Sequence, residues 1–239
     1  MVNYLKHPLD SCRERVRRAE EHLLSLELEV ASMTEKQANS LPFDLDPNSP
    51  HAVINVGHPP ETFAGVRSGT LVGEIIYNLR CALDYLVYAL AVLDSGSPQN
   101  GTQFPIMDAA KDFASRGKTM LTGIKAAHVD AIEQLQPYKG CNWTRHLRDL
   151  SNMDKHRHIV PGGGKMMATV HSELATDLSR IHGAFDRVAK HPHTGKSVRI
   201  KVHISAQIVF LDGTPVIQSL NEIKTQVIDT LRQFESDFQ

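Results

Sequence analysis

The sequence predicts an α+β protein that is predominantly helical: a bundle of four to five helices with a small antiparallel sheet in its C-terminal third. Three observations carry this. Apolar residues recur at steps of three and four over long stretches, as in helices that bury one side. One run, "VRIKVHIS" at 198–205, instead alternates strictly, with Val198, Ile200, Val202 and Ile204 on one side, as a strand with one wet face does. In "IVFLDGTPVI", Asp212 and Gly213 stand between two apolar runs, a hairpin signal. The expected organisation is a single domain over 1–239. Its bundle spans about 10–160 and is completed by a helix at 219–237, with a small β-containing subregion at about 165–218.

The elements follow in order. Residues 11–38 read as a helix: Ser11 and Glu14 have the capping-box spacing, and Val16, Ala19, Leu23, Leu26, Val30 and Met33 form one stripe. The stripe suits a bundle helix or a short coiled-coil seam. Residues 39–64 are rich in proline and asparagine and read as a long connection, with "HAVINVG" (51–57) as a short strand. Residues 68–94 give the strongest helix. Leu71, Ile75, Leu79, Leu86, Leu90 and Leu93 share one arc; Glu74, Tyr77, Asn78, Arg80, Cys81, Asp84, Tyr85 and Tyr88 share the other. Three tyrosines and a cysteine are a poor choice for an exposed face, so that arc is expected to be covered as well. Short helices are expected at 108–116 and 126–136, and a longer one at 143–159, which "PGGG" at 161–164 stops. Beyond it come a strand in "KMMATVH", a helix on Leu174, Leu178, Ile181, Phe185 and Val188 weakened by Gly183, the strand at 198–205, the hairpin, and the final helix on Leu220, Ile223, Val227, Leu231 and Phe234.

Composition limits the function classes. Hydrophobic residues are 41% of the chain, enough for a real core. Lys and Arg number 26 against 27 Asp and Glu, so bulk charge does not hold nucleic acid and any such contact needs a local basic face. The N-terminal stretch lacks the apolar core of a secretory signal. The most apolar run, "LRCALDYLVYALAVL", is broken by Arg80 and Asp84, so it reads as a buried helix and no membrane contact is expected. Three widely spaced cysteines do not make a disulfide framework, which fits a reducing cytoplasm.

The chemistry concentrates in "WTRHLRDLSNMDKHRHIV". Trp143, Leu147, Leu150, Asp154 and Arg157 lie along one line of a helix, so its apolar stripe ends in an acid and a base. Arg145, Arg148, Asn152, Lys155 and His156 lie on another flank, basic throughout. Charges that point inward must be paired. The expected pairing joins Arg80 to Asp154, and Asp84 or Glu74 to Arg157. Glu74, Arg80, Asp84, Asp154 and Arg157 then form either an ionic lock that fixes helix register or the organising part of an active centre.

"GEIIYNLRCALDYLVYAL", "FPI", "LQPY", "LRDLSNMDKHRHIV" and "VFLDGTPVIQSL" together resemble a set of uncharacterised bacterial and phage proteins. That set shares an LRxALD helix, an FPI loop, a DKHR helix end and a GxPV hairpin. The helical part in turn resembles HEPN domains, helical bundles of defence-type and RNA-processing systems that are often dimeric. The resemblance implies RNA as partner, a homo-oligomer, and metal-independent endoribonuclease chemistry built on an Arg and a His, without cofactor. On this chain the corresponding catalytic residues are Arg148, Asn152 and His156. Seven residues separate Arg148 from His156, a longer gap than the HEPN motif has. The other reading is a non-catalytic, dimerising interaction module.

Further chemistries are weaker. Thirteen histidines do not supply a ligand set: His156 and His158 face apart on a helix, Asp154 with His158 makes only two ligands, and "KHPHTG" reads as a loop, so no metal is assigned. "PGGGK" lacks the glycine and hydroxyl spacing of a phosphate loop. Cys81, among tyrosines, reads as an inert buried thiol.

Overall fold

The computed structural model describes residues 7–40, 43–45, 54–56, 65–156, 163–171, 184–190 and 197–239. The chain is predominantly helical and falls into two compact units. One comprises Met1–Leu24, Gly69–Ile159 and Gln218–Gln239; the other comprises Ser25–Ser68 and Val160–Ile217.

The first unit is built on α2 (Val66–Ser95), with the opening turns of α1 (Asp10–Ser40) and most of α6 (Val216–Glu235). Val72, Ile75, Ile76, Leu79, Leu83, Leu86 and Leu90 of α2 are all at most 1% exposed, so this helix is the centre of the unit. Each such side chain contributes about 1.5–3 kcal/mol of burial. By length and composition α2 could cross a membrane, yet 61% of its most apolar window is buried inside the protein, as in a core helix. The stripes expected on α1 (Val16, Ala19, Leu23) and α6 (Leu220, Ile223, Val227, Leu231, Phe234) are buried too. Ion pairs Arg13–Glu235 and Lys224–Glu20 join α1 to α6.

Two local expectations change. The helix starts at Asp10 without the Ser11–Glu14 box. The Asp10 carboxylate accepts the His7 amide at 2.9 Å and His7 Nδ1 accepts the Leu9 amide at 3.1 Å, so the turn before the helix already satisfies these donors. The second arc of α2 is covered only in part: Asn78 and Arg80 are buried, but Tyr77, Tyr85 and Tyr88 are 50%, 38% and 44% exposed, and Glu74 is exposed.

After α2 the chain runs through an irregular segment to α3 (Ala110–Asp112), which passes into a π-turn at Phe113–Gly117. α4 (Ala126–Gln134) follows, then a 3-10 turn at Pro137–Lys139. Gly140 ends that turn at φ 98°, a conformation open to glycine, and releases the chain into α5 (Asn142–His156). Thr144, wholly buried, donates its hydroxyl to the Leu135 and Cys141 carbonyls and ties α5 to this turn.

The second unit contains the sheets. β1 (Phe43–Leu45) pairs antiparallel with β2 (Ile54–Val56), Phe43 opposite Val56. β3 (Gly163–His171), β4 (Ala184–Lys190) and β5 (Ser197–Val209) form an antiparallel sheet in the order β3–β5–β4, with Gly163 opposite Val209 and Lys190 opposite Ser197. Phe185 and Val188, expected on a helix, are therefore in a strand. The long β-branched run of β5 offers a ladder partner, and that non-local pairing overrides a local helical spacing interrupted by Gly183. Leu174, Leu178 and Ile181 lie outside the described residues, as does "KHPHTG" beyond its first residue, Lys190, which ends β4. The Asp212–Gly213 turn forms: Gly213 adopts φ 85°, and the Phe210 amide donates to the Thr214 carbonyl at 2.9 Å. Its second arm is a single bridge, Val209 to Pro215, before α6 begins. In this unit Glu29 accepts Arg67 Nε and Ser68 Oγ, each at 2.9 Å.

Candidate functional site

Within the helical unit, residues 103–108 ("QFPIMD") are held at nearly every peptide by side chains from α2, from the turn after α4 and from α5. Arg80 and Asp84, one turn apart on α2, act on the two polar groups of Phe104. Asp84 Oδ1 accepts the Phe104 amide at 2.9 Å, and Arg80 donates to the Phe104 carbonyl at 2.5 Å. The two side chains pair with each other at 3.1 Å. Phe104 itself is fully buried, so without this pair its backbone groups would have no solvent to turn to. Burial pushes the Arg80 guanidinium below its ordinary pKa, and the Asp84 charge opposes that.

Gln136, wholly buried, does the same for the next peptides. Its Oε1 accepts the Met107 amide at 2.9 Å, and its Nε2 donates to the Pro105 carbonyl at 2.9 Å and to the Ile132 carbonyl at 3.0 Å. Arg148 of α5 completes the grip. It donates to the Ile106 carbonyl at 3.5 Å and pairs with Asp108 at 2.7 Å and Asp149 at 2.8 Å. Arg145 Nε meets the other oxygen of Asp108 at 2.9 Å. Hydrogen bonds from Arg148 and then Arg145 hold the Asp108 carboxyl below the usual carboxylate range. Burial works against the Arg148 charge, but Asp108 and Asp149 outweigh it and its pKa stands above the ordinary value.

Beside this segment lies a cleft of about 170 Å3. Arg80, Gln103, Arg148, Ser151 and Asn152 supply its polar lining; Met107 and Met120 supply part of its apolar wall. The cleft thus brings together three residues that the sequence singled out, Arg80, Arg148 and Asn152. Two cations and an amide at one small opening can hold an oxyanion.

The pairing expected for the charged end of α5 is different. Arg80 takes Asp84 and the Phe104 carbonyl as partners instead of Asp154, because the loop peptide lies closer to the guanidinium and needs its donors. Asp154 is exposed as a residue, yet its carboxylate rests against α2 at the buried Gly73, where an added Cβ would stand 2.5 Å from Oδ1. Glu74 is exposed, and the meeting expected between it or Asp84 and Arg157 falls outside the described residues. The flank of α5 is also less basic than its sequence, since Asp108 serves both Arg145 and Arg148. Arg157, His158 and the His156 side chain lie outside what is described.

Sequence reasoning missed Gln136, although it stands in the quoted patch "LQPY", and Asp108, which stands just after "FPI". A buried amide that serves two peptides leaves no periodic signal. A second polar cluster was also missed. His128 Nδ1 lies 2.7 Å from Asp94 Oδ2, both side chains being at most 5% exposed, and Asp94 also accepts the Lys125 amide at 2.9 Å. Asp237 stands 3.5 Å from His128 Nε2. The cluster joins the end of α2, the start of α4 and the turn after α6.

Comparison with known proteins finds no match to a protein-family model, to a curated protein or to a solved structure.

Proposed function

We propose that the helical unit is an RNA-interacting module of HEPN-like type, with the cleft beside residues 103–108 as its phosphate site. The observation that carries this reading is the meeting of Arg80, Arg148 and Asn152 at one opening of about 170 Å3. A guanidinium offers a planar fork of donors matched to phosphate oxygens, and the asparagine amide adds a neutral donor. His156 follows Asn152 by one helical turn and is the proton-transfer group of the nuclease form of this module. There it would take the proton of an RNA 2′-hydroxyl as that oxygen attacks the phosphorus, giving a 2′,3′-cyclic phosphate, and the 5′-oxygen leaves as a hydroxyl on taking a proton from water. Arg148 would stabilise the charge gathering on the phosphate, and no metal is needed. A homo-oligomer belongs to the same proposal.

Asp108 already neutralises Arg148, so a phosphate has to displace it, and binding should be modest and salt-sensitive. The test is binding and cleavage of single-stranded and hairpin RNA by the full chain. Arg148→Gln and Asn152→Ala should weaken binding, the former by about tenfold or more, the scale of a lost charge-assisted hydrogen bond. His156→Ala should remove cleavage and leave binding. Wild-type protein that neither binds nor cuts RNA, with or without divalent metal, overturns the reading.

A second reading has its own support, since Arg80, Asp84 and Gln136 are all engaged in holding a loop. In a non-catalytic interaction module that polar centre is architectural only. Arg148→Gln then changes no RNA property.

A further inference from the structure

The exposed side of α2 carries a feature that the cleft does not use. Tyr77, Cys81, Tyr85 and Tyr88, at steps of four, four and three, form one stripe on the helix. The three tyrosines are 50%, 38% and 44% exposed on a helix that is otherwise the core of its unit. Arg15 of α1 lies over this stripe, its guanidinium carbon 5.7 Å from the Tyr77 ring centre and 5.3 Å from that of Tyr85. It donates to Tyr85 Oη at 3.0 Å and to Asn78 Oδ1 at 3.1 Å, and Asn78 is itself fixed by its bond to the Glu74 carbonyl.

The partners of Arg15 set it apart from its neighbours. Arg13 pairs with Asp10 and Glu235, Arg17 with Glu14 and Glu21, and Arg18 with Glu21. Among the described residues no carboxylate pairs with Arg15. Its hydrogen-bond partners are a phenol and an amide, and its planar faces meet rings. The stripe therefore presents a cation without a paired carboxylate among partly exposed tyrosine rings.

We propose that this stripe is a platform for single-stranded RNA: bases stack on Tyr77, Tyr85 and Tyr88, and Arg15 meets a backbone phosphate. Stacking on tyrosine with an arginine at the backbone is how sequence-tolerant single-strand binding is achieved. The positive charge selects a polyanion. It also argues against a second copy of the chain, because Arg15 lies between Tyr77 and Tyr85 in mid-stripe. An isologous contact centred there would bring two like cations together. The proposal rests on the RNA-interacting reading but uses different residues from the cleft.

The experiment is fluorescence anisotropy of the full chain with a labelled single-stranded RNA of about 12 nucleotides, a length within the range one such site covers. Tyr77→Ala and Tyr85→Ala should each weaken binding about 5- to 100-fold, the scale of one lost base stack. Tyr77→Phe, which keeps the ring, should bind like wild type. Arg15→Gln should lower the slope of log affinity against log salt by about 0.7, one phosphate contact on a single strand. The exposed positions make unchanged melting temperatures the folding control.

If Arg148→Gln abolishes binding and the tyrosine variants do not, the platform is wrong and the cleft stands. The reverse result keeps the platform and removes the cleft. Wild-type protein that binds no single-stranded RNA overturns both. A wild-type dimer in sedimentation that Tyr85→Ala dissociates, with RNA affinity unchanged, makes the stripe a self-association surface and overturns the platform.

Discussion

Asp108 shows how much one carboxylate changes a reading made from charge counts. Arg145 and Arg148 look like the start of a basic face, but both point at this single acid. Its pKa is depressed in the folded protein, so its pairing stabilises above the unfolded carboxyl value of about 3.9 and is lost as pH falls through the folded value. The carboxylate is 51% exposed, which keeps the contribution to about 1 kcal/mol or less. Asp108→Asn should therefore lower stability slightly at neutral pH. The difference from wild type should shrink below about pH 4 and in high salt. Denaturation at several pH values and two salt concentrations measures it; a difference that grows on acidification contradicts the assignment.

The segment 103–108 is an element without regular secondary structure that behaves as one, because side chains replace the ladder it lacks. Arg80 with Asp84 and Gln136 serve both its donors and its acceptors. Arg80→Ala takes the donor from the buried Phe104 carbonyl and removes the Arg80–Asp84 ion pair, and should cost about 3–5 kcal/mol. Gln136→Ala strands the Met107 amide and the Pro105 carbonyl and should cost about 2 kcal/mol or more. Because both hold the same segment, the double variant should lose less than the sum of the two, by about 0.5–3 kcal/mol. Chemical denaturation of the three variants gives the cycle, and strict additivity would mean that the two grips act independently. The motif patches are legible in the sequence as patches. That "LRCALD" and "LQPY" exist to hold "FPI" is not, since a side chain bonded to a distant peptide has no period to read.

For the helical unit as a whole, the first turns of α1 report on integrity. Cys12 is fully buried, and burial pushes its thiol up to about 12, so at pH 8 it offers almost no thiolate. Cys81 and Cys141 are half-buried. In native protein an alkylating reagent should modify Cys12 last, at a rate that follows opening of the unit and rises with denaturant. Mass spectrometry of the labelled peptides checks this. Cys12 labelling as fast as Cys81 without denaturant would mean that α1 does not pack as described.

The Asp-Gly pair carried the turn at 212–213, and periodicity carried the three long helices and the strand β5, because burying one face of a regular element leaves a repeating mark along the chain. It also marked α2 as central. It failed where a contact had to choose between equals. Val188 and Phe185 went to a strand because β5 offered a partner. Arg80 went to Asp84 and Phe104 rather than to Asp154. The three tyrosines of the second α2 arc stayed exposed although the composition of that arc suggested cover. Burial is a property of a face and repeats with the helix; pairing is a property of distance in space, and residues 24 positions apart, such as Arg80 and Phe104, become neighbours only when the chain has folded.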